Sequence, residues 1–492
     1  MTQPMRNPEI RCKHLFINNE WVNSASGKTF PIINPATGKK IADVQEGDKT
    51  DVDRAVTAAR KAVEPGSVWR NMDASDRGRL LNRFADLIER DRLYLASLET
   101  FDSGRPFNDT YNTDLSMVIK CFRYYAGWTD KISGRTIPMD GEYLCYTRPE
   151  PVGVCGQILH WNFPLLMMTL KLAPALTCGN AVIIKPAEQT PLTALYTASL
   201  VKEAGFPAGV VNVIPGYGPT AGAGLSEHCD IDKIAFTGSS KVGQIISQAA
   251  ARTNLKKTTL ELSGRTPNVV FPDADMDRAV ETCRNGLFLN MGQYSCTASR
   301  TYVHEDIYDT FVRKLVEKAK TWTVGDPFDS RTMCGPQVDQ EQFDKVMSLI
   351  DSGIQSGAKV ECGGRRQGST GFYIQPTVFS GVTEDMRVGR DEIYGPVIQV
   401  IKFRTMDDVI ERTNRASRGL AAGISTKSLD NVMTYSSHVR AGTIWVNSLN
   451  VFGAQTPIGG YRTSSNGKEL GEYGLEEYSE LKTVIIRTPT SM

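Results

Sequence analysis

Long apolar runs are missing from this 492-residue sequence. No apolar segment opens the chain, and its most apolar stretch, 164–184, is interrupted by Lys171, Pro174 and the pair Gly179-Asn180. A membrane-spanning helix needs about 20 consecutive apolar residues. We therefore expect neither a secretory signal nor a membrane partner, and a cytoplasmic location.

Clustered cysteines and an excess of charge are missing as well. The ten cysteines show no CxxC spacing, and no paired histidines accompany them, which argues against a metal site and against a disulfide framework. We expect reduced thiols and no metal. The 56 basic residues nearly balance the 55 acidic ones, which leaves a net charge of +1, so no nucleic-acid partner is expected.

Alternating strand and helix patterns are what the sequence does contain. One alternating block, at 301–445, is interpreted as a separate α/β domain, because 492 residues are too many for one hydrophobic core. An early hairpin is expected within 15–34, around the turn Asn18-Asn19. The middle of the chain predicts a parallel sheet, with helices between strands at 181–184, 210–214, 233–236, 258–262 and 268–271.

One stretch carries most of the functional information. Residues 290–300 read Asn-Met-Gly-Gln-Tyr-Ser-Cys-Thr-Ala-Ser-Arg. They resemble the nucleophile segment of the NAD(P)-dependent aldehyde dehydrogenases. In that segment a catalytic cysteine stands two residues after a Gly-Gln pair, and a Ser-Arg pair follows it at four and five residues. The register places Ser295 at the nucleophile position and the thiol of Cys296 one residue late.

The resemblance to this family covers nearly the whole chain. It implies an α/β fold of two doubly wound parallel-sheet domains with a small antiparallel oligomerisation module, and a homo-oligomer, expected to be a tetramer. The implied bounds are 1–131 and 152–263 for the NAD-binding domain, 264–478 for the catalytic-type domain, and 132–151 with 479–492 for the module. The motifs are Trp161-Asn-Phe-Pro164, Lys185-Pro-Ala-Glu188, Phe236-Thr-Gly-Ser-Ser-Lys-Val-Gly243, Glu261-Leu-Ser-Gly-Arg-Thr-Pro-Asn268, Glu392-Ile-Tyr-Gly-Pro396 and Glu472-Tyr-Gly-Leu475.

The cofactor that the resemblance implies is NAD. A carboxylate at Glu188, just after a buried strand, suits a ribose 2′-hydroxyl better than a 2′-phosphate, so NAD is expected rather than NADP. Taken alone, the glycines of these motifs would be ordinary turn residues. The cofactor-binding residues implied by the family pattern are Trp161, Lys185, Glu188, Gly218, Gly238, Ser239, Gly243, Leu262, Glu392 and Tyr394.

The catalytic residues that the resemblance implies are less complete. Asn162 matches the oxyanion donor, Glu261 the general base and Lys171 a lysine of the proton relay, while Ser295 replaces the nucleophilic cysteine. A thiol is partly ionised at neutral pH, whereas a serine hydroxyl needs an adjacent base. Further departures from the family pattern occur nearby: His160 for Pro, Leu170 for Trp, Ser263 for Gly and Ser465 for Gly.

Two hypotheses follow from the replaced nucleophile. The first is a protein with little or no dehydrogenase activity, most like the omega-crystallins, mollusc lens proteins derived from this family; this is the expectation. The alternative is an active NAD-dependent aldehyde dehydrogenase that oxidises aldehydes to carboxylic acids, with Cys296 as nucleophile. A variant of that alternative is a slow esterase, in which Ser295, His160 and Glu261 form a Ser-His-Glu set.

Overall fold

The computed structural model describes residues 2–297 and 299–488. Residues 489–492, the end of the predicted oligomerisation module, lie outside the described residues, as do Met1 and Ala298. Within the described ranges, no helix is both long enough and apolar enough to cross a membrane. The domain boundaries given above stay a prediction.

The first large sheet has a parallel centre and antiparallel edges. Its central strands, from Val211–Val213 to Lys257–Leu262, run parallel, while the outer strands are antiparallel. Ala181–Lys185 is buried along its whole length, as expected for a β-branched strand covered on both faces. In the described part of the chain the eight strands follow the order Glu20–Val22, Leu15–Ile17, Val211–Val213, Ala181–Lys185, Val154–Ile158, Lys233–Gly238, Lys257–Leu262 and Ser465–Asn466.

Helices pack on this sheet and share its apolar core. Ser240–Arg252 shows why they form where they do: the Ser239 side chain caps its first turn by accepting from the Val242 N–H. Gly243 then lets the helix approach the sheet, because a Cβ there would stand 2.6 Å from Leu262. The helices are Lys49–Val63, Ala74–Arg90, Arg92–Ser103, Leu115–Ala126, Pro164–Thr177, Leu192–Ala204, Ala223–Glu227 and Ser240–Arg252.

The second large sheet is parallel except at one edge, where Lys359–Cys362 pairs antiparallel with Thr377–Ser380. The described residues give it seven strands, in the order Lys359–Cys362, Thr377–Ser380, Val397–Phe403, Arg300–His304, Pro267–Val270, Ala421–Ser425 and Thr443–Val446. Its longer helices are Met276–Phe288, Tyr308–Ala319, Gln340–Gln355, Met406–Arg415 and Leu429–His438.

Two strand predictions need correction. The strand predicted at 268–271 is Pro267–Val270, and it lies in the second sheet rather than with the strands before it, because it pairs with Arg300–His304 and Ala421–Ser425. The early hairpin turns at Asn18 and Asn19, as expected from their positive φ angles of 56° and 62°. It ends at Val22, however, and Thr29–Asn34 pairs instead with Lys39–Gln45.

A small antiparallel sheet stands apart from both large ones and confirms the predicted third module. Its strands are Thr136–Ile137, Tyr143–Pro151 and Ser479–Arg487. The last two pair along their full length, from Ser479 opposite Pro151 to Arg487 opposite Tyr143. The terminal strand is therefore an edge of this sheet within the described chain.

Candidate active site

Two cavities meet at the carboxyl ends of the strands Lys233–Gly238 and Lys257–Leu262, where open α/β sheets bind ligands. The cofactor-side cavity, of about 220 Å³, reaches from Gly238 and Ser239 to Tyr394 and Lys345. The apolar cavity, of about 50 Å³, has walls that include Phe163, Leu166, Leu170, Leu420, Phe452 and Ile458. Both cavities are lined by Met167, Thr237, Glu261, Leu262, Tyr294 and Ser295.

Ser295 lies at this junction, whereas Cys296 does not. Ser295 is partly exposed and lines both cavities, while the Cys296 thiol is 4% exposed and lines only the apolar one. Burial raises the pKa of Cys296 to about 12, so its thiolate is scarce at neutral pH. The backbone before Ser295 is held in an uncommon conformation, with φ of 50° and 55° at Asn290 and Met291.

Glu261 lies next to the carboxyl end of the strand Lys257–Leu262 and is 7% exposed. Its Oε1 accepts a hydrogen bond from the Ser465 hydroxyl at 2.7 Å. Burial and the nearby Glu469 carboxylate raise the pKa of Glu261 well above its usual range. A carboxyl group whose pKa is raised in this way holds a proton more tightly than an exposed one and is a stronger base when it is ionised.

Lys171 and Glu469 form a buried ion pair beside this carboxyl group. The Lys171 ammonium also donates to the Thr237 hydroxyl at 2.6 Å. The structure therefore brings the predicted relay lysine close to the predicted base. Glu469 was missed in the sequence; its position three residues before the Glu472-Tyr-Gly-Leu475 motif was the available signal.

Both the nitrogen and the oxygen of the Asn162 side-chain amide form hydrogen bonds. Its Nδ2 donates to the Gln293 carbonyl at 3.1 Å and to the Tyr394 hydroxyl at 2.9 Å. Its Oδ1 lies 2.9 Å from Nδ1 of His160. Since an amide oxygen only accepts, the proton of His160 is on Nδ1. Burial lowers the pKa of His160 to about 4, so the ring is neutral.

The Ser-His-Glu set is not assembled. The Nδ1 of His160 is bound to Asn162 and the Glu261 carboxylate to Ser465. Within the described residues no hydrogen bond joins His160 to Ser295 or to Glu261, and the imidazole stacks on Trp161 with ring centroids 4.7 Å apart. The esterase arrangement considered from the sequence is therefore not supported by the geometry.

The predicted cofactor residues fall into two groups. Trp161, Gly238, Ser239, Leu262, Glu392 and Tyr394 line the cofactor-side cavity. Lys185, Glu188, Gly218 and Gly243 lie outside its wall. The buried Lys185 ends its strand and pairs with Glu188 at 3.0 Å. The Gly218–Gly222 turn lies beside it, since a Cβ on Gly222 would stand 3.7 Å from the Lys185 side chain.

These residues fit NAD. The Glu188 carboxylate at a strand end is the acceptor that a ribose 2′-hydroxyl needs. The first turn of Ser240–Arg252 offers backbone N–H groups to a pyrophosphate, and a Cβ at Gly218 would meet no atom within 4 Å. Glu392 forms an ion pair with Arg418 at 3.1 Å at the other end of the cleft. No cluster of three or more metal-ligating side chains occurs among the residues described.

Comparison with known proteins defines the class. The model of the aldehyde dehydrogenase family matches residues 21–484. The chain is 57% identical to human retinal dehydrogenase 2 over 489 residues, covering 99% of this chain and 94% of that protein. It is 58% identical to human mitochondrial aldehyde dehydrogenase over 486 residues, with coverage of 99% and 94%. The chain belongs to the aldehyde dehydrogenase family, as the motifs predicted.

Solved structures agree with this assignment. The NAD⁺ complex of aldehyde dehydrogenase from Bacillus cereus superposes with a TM-score of 0.95, at 45% identity and with 97% of each chain covered. A mutant indole-3-acetaldehyde dehydrogenase from P. syringae, in complex with NAD⁺ and IAA, gives a TM-score of 0.96 at 37% identity, with 98% of this chain and 97% of that chain covered. The predicted fold class is confirmed, and so is the predicted cofactor.

The expectation of an inactive lens crystallin is wrong. Relatives that match almost the full length at 57–58% identity are named as dehydrogenases, and they favour the alternative of an active enzyme. The expectation rested on the replaced cysteine and on nearby departures from the family pattern. At least two of these departures, His160 and Ser465, hydrogen-bond to predicted catalytic residues.

Proposed function

We propose that this chain is an NAD-dependent aldehyde dehydrogenase that oxidises aldehydes to carboxylic acids. The observation that carries the proposal is the junction, where Ser295 and Glu261 stand on the walls of both the cofactor-side cavity and the apolar cavity. A reaction between a cofactor and a substrate needs its reacting groups at such a meeting point.

Ser295 is the group that we assign to the first step. Its Oγ adds to the aldehyde carbon while Glu261 takes the hydroxyl proton, which leaves an oxyanion on the former carbonyl oxygen. Bound NAD supplies the acceptor for the hydride that the aldehyde carbon then loses. Glu261 then releases the proton it took from Ser295 to solvent and becomes a base again. It accepts a proton from a water molecule that adds to the ester carbon, and it returns this proton to the Ser295 oxygen as the carboxylic acid leaves.

We assign to Asn162 the role of hydrogen-bond donor to this oxyanion. One of its N–H groups donates to the Tyr394 hydroxyl, and this is the bond that a substrate oxygen can replace. The other donates to the Gln293 carbonyl and holds the amide in place. His160 fixes the orientation of the amide by donating to its oxygen. A donor held in this way stabilises an oxyanion without reorganising during the reaction.

Apolar aldehydes are the substrate class that the second cavity favours. Its wall is mainly aliphatic and aromatic, with the carboxylates of Glu261 and Glu469 near the junction. At about 50 Å³ the cavity is small, which favours compact apolar groups over extended ones. A retinoid, the substrate named for the human relative, requires the walls to open.

The test is NADH formation by the purified protein with hexanal, benzaldehyde and retinal. We expect turnover with NAD, a preference for the two compact aldehydes, and little turnover with NADP. Ser295→Ala should abolish turnover, whereas Cys296→Ala should leave most of it, because that thiol lies off the junction. Absence of NADH formation with all three aldehydes would overturn the proposal.

Self-association is a property of the family, and for this chain we propose a homotetramer in the cytoplasm. The terminal strand Ser479–Arg487 carries exposed Leu481, Ile485 and Ile486 on a sheet edge, a combination that promotes aggregation unless it is paired or covered. Pairing across a symmetric interface removes this hazard. Light scattering that gave a mass near 54.2 kDa, that of one chain, would contradict the proposal.

A further inference from the structure

A third cavity lies in the part of the chain that holds the second sheet. It has a volume of about 170 Å³ and adjoins the backbone of Gly389 and Ala416. We call it the arginine cavity, because the charged side chains on its wall are those of Arg265, Arg300, Arg390, Arg412, Arg415 and Glu384. Its lining shares no residue with the cofactor-side cavity or the apolar cavity.

The positive charge of the arginine cavity is only partly neutralised. Arg412 pairs with Glu384 at 2.6 Å and with Asp408 at 3.4 Å. The exposed Arg390 and Arg415 pair with acidic neighbours on the outside, Asp391 and Glu411. The two innermost arginines, Arg265 and Arg300, form no ion pair with any carboxylate of the described residues. The Arg265 guanidinium donates instead to the Gly389 carbonyl, and that of Arg300 to the Arg265 carbonyl and the Tyr302 hydroxyl.

The innermost arginines also keep unused donors. Arg300 is 3% exposed, and the Nε atoms of Arg265 and Arg300 are buried without a hydrogen-bond partner. A buried, unpaired donor on a charged group is costly to a fold. Burial, together with the positive charges of Arg300 and Arg418, lowers the pKa of Arg265 to about 9. Both observations indicate that the site lacks a compensating negative charge.

We propose that the arginine cavity binds a small tetrahedral oxyanion, a phosphate or sulfate group. Guanidinium groups recognise such anions through paired, charge-assisted hydrogen bonds, and a pocket with several arginines and one carboxylate offers more donors than the protein uses. The exposed Arg390 and Arg415 form the entrance, and Arg265 and Arg300 form the floor. The proposal does not rest on the proposed oxidation, because the cavity wall includes none of the residues assigned to that reaction.

Its position links it to the reacting segment. Arg300 follows Ser295 by five residues, and Arg265 adjoins Gly264. A Cβ on Gly264 would stand 2.2 Å from the Ser295 carbonyl oxygen, so these two segments are in direct contact. An anion that joins Arg265 to Arg300 therefore stabilises the contact that supports the Ser295 backbone.

The experiment uses the full chain with saturating NAD, so that the cofactor cleft does not take up the probe. Sodium phosphate is titrated by calorimetry at constant ionic strength, with sodium sulfate, glycerol phosphate and sodium acetate as further arms. We expect saturable binding of phosphate and sulfate and none of acetate. Binding of glycerol phosphate as well would identify a phosphomonoester as an acceptable ligand, and its exclusion would restrict the site to free anions. Acetate binding equal to phosphate binding would overturn the oxyanion assignment.

Two matched variants make the test specific. Arg415→Gln removes a cavity arginine that, among the residues described, forms an ion pair only with Glu411, four residues earlier on a helix. Arg313→Gln removes an arginine in a similar exposed pair with Glu317 on another helix. We expect Arg415→Gln to weaken phosphate binding by about threefold or more, and Arg313→Gln to leave it unchanged. Equal affinity in the two variants, or no saturable heat up to about 10 mM phosphate, would overturn the proposal.

Discussion

The two halves of the cleft between the sheets differ in how closely they follow the family pattern. The cofactor half keeps it: Lys185 pairs with Glu188, and Ser239 caps the helix that begins at Ser240. The reacting half departs from it at several positions, including the nucleophile position, Ser295. From the sequence alone these departures indicate lost catalysis, and the named relatives contradict that interpretation.

The structure shows what the polar departures do. Ser465 donates to Glu261, His160 to Asn162, and the Ser263 hydroxyl interacts with the Glu392 carboxylate. Decay without selection would leave some of these buried polar groups unpaired, at a cost of about 1–3 kcal/mol each. Each one instead contacts a residue of the predicted site. The reacting half is therefore a rearranged polar network, and it extends to the cofactor-side cavity, where His160 and Ser263 also lie.

Among changes that keep a nucleophile at position 295, the largest expected effect comes from removing the base of the reacting half. Glu261→Gln keeps the shape and the contact with Ser465 but cannot accept a proton. We expect kcat to fall by roughly 10²–10⁴-fold, the usual contribution of general base catalysis. The upward shift of the melting temperature with NAD should persist, because the cofactor half is unchanged. A fall in kcat of less than about tenfold would show that Glu261 is not the general base.

A change at Ser295 tests whether the reacting half still supports the thiol nucleophile that is typical of the family. Ser295→Cys introduces a thiol, whose ordinary pKa of about 8.5 provides some thiolate at neutral pH. We expect kcat with benzaldehyde to rise at least about tenfold, since thiolate is the stronger nucleophile. Cys296→Ser is the matched control and should change kcat little. A Ser295→Cys variant slower than the parent would show that the network has adapted to the hydroxyl.

The cofactor half has its own test in Glu188. Glu188→Gln removes the carboxylate that pairs with Lys185 and that we assign to the ribose 2′-hydroxyl. The loss of one hydrogen bond to a charged group, about 1.5 kcal/mol, predicts NAD binding weaker by about tenfold with kcat at saturating NAD unchanged. Glu203→Gln, which breaks an exposed pair with Arg90, serves as the control. Unchanged NAD affinity would remove Glu188 from the cofactor site.

The sequence predicted the fold well, because the fold depends on local patterns, while the roles of the site residues stay predictions. Buried β-branched runs become central parallel strands such as Ala181–Lys185, and the order of the motifs identified the family. The Lys171–Glu469 pair could not be predicted, because it joins segments almost 300 positions apart. The junction of the two cavities could not be predicted either, because its shared walls come from segments between Met167 and Ser295. The contact of Ser465 with Glu261 was also beyond prediction, because the two residues are 204 positions apart. From the sequence alone, Ser465 is only a departure from the family pattern.

The smallest expected effect concerns Ser465 and is visible only as a pH dependence. Its hydrogen bond to the Glu261 carboxylate favours the charged form and lowers a pKa that burial and Glu469 raise. Ser465→Ala removes that bond, so the pKa of Glu261 rises further and more of the base is protonated at neutral pH. The limb of the kcat profile that rises with pH should move to higher pH, with a severalfold loss at neutral pH and convergence on the parent rate in alkali. Ser465→Gly, which restores the residue typical of the family, should give the same shift, and Ser465→Thr, which keeps a hydroxyl, should give less. A uniform loss of rate at every pH would show that Ser465 acts on the shape of the site rather than on the proton of Glu261.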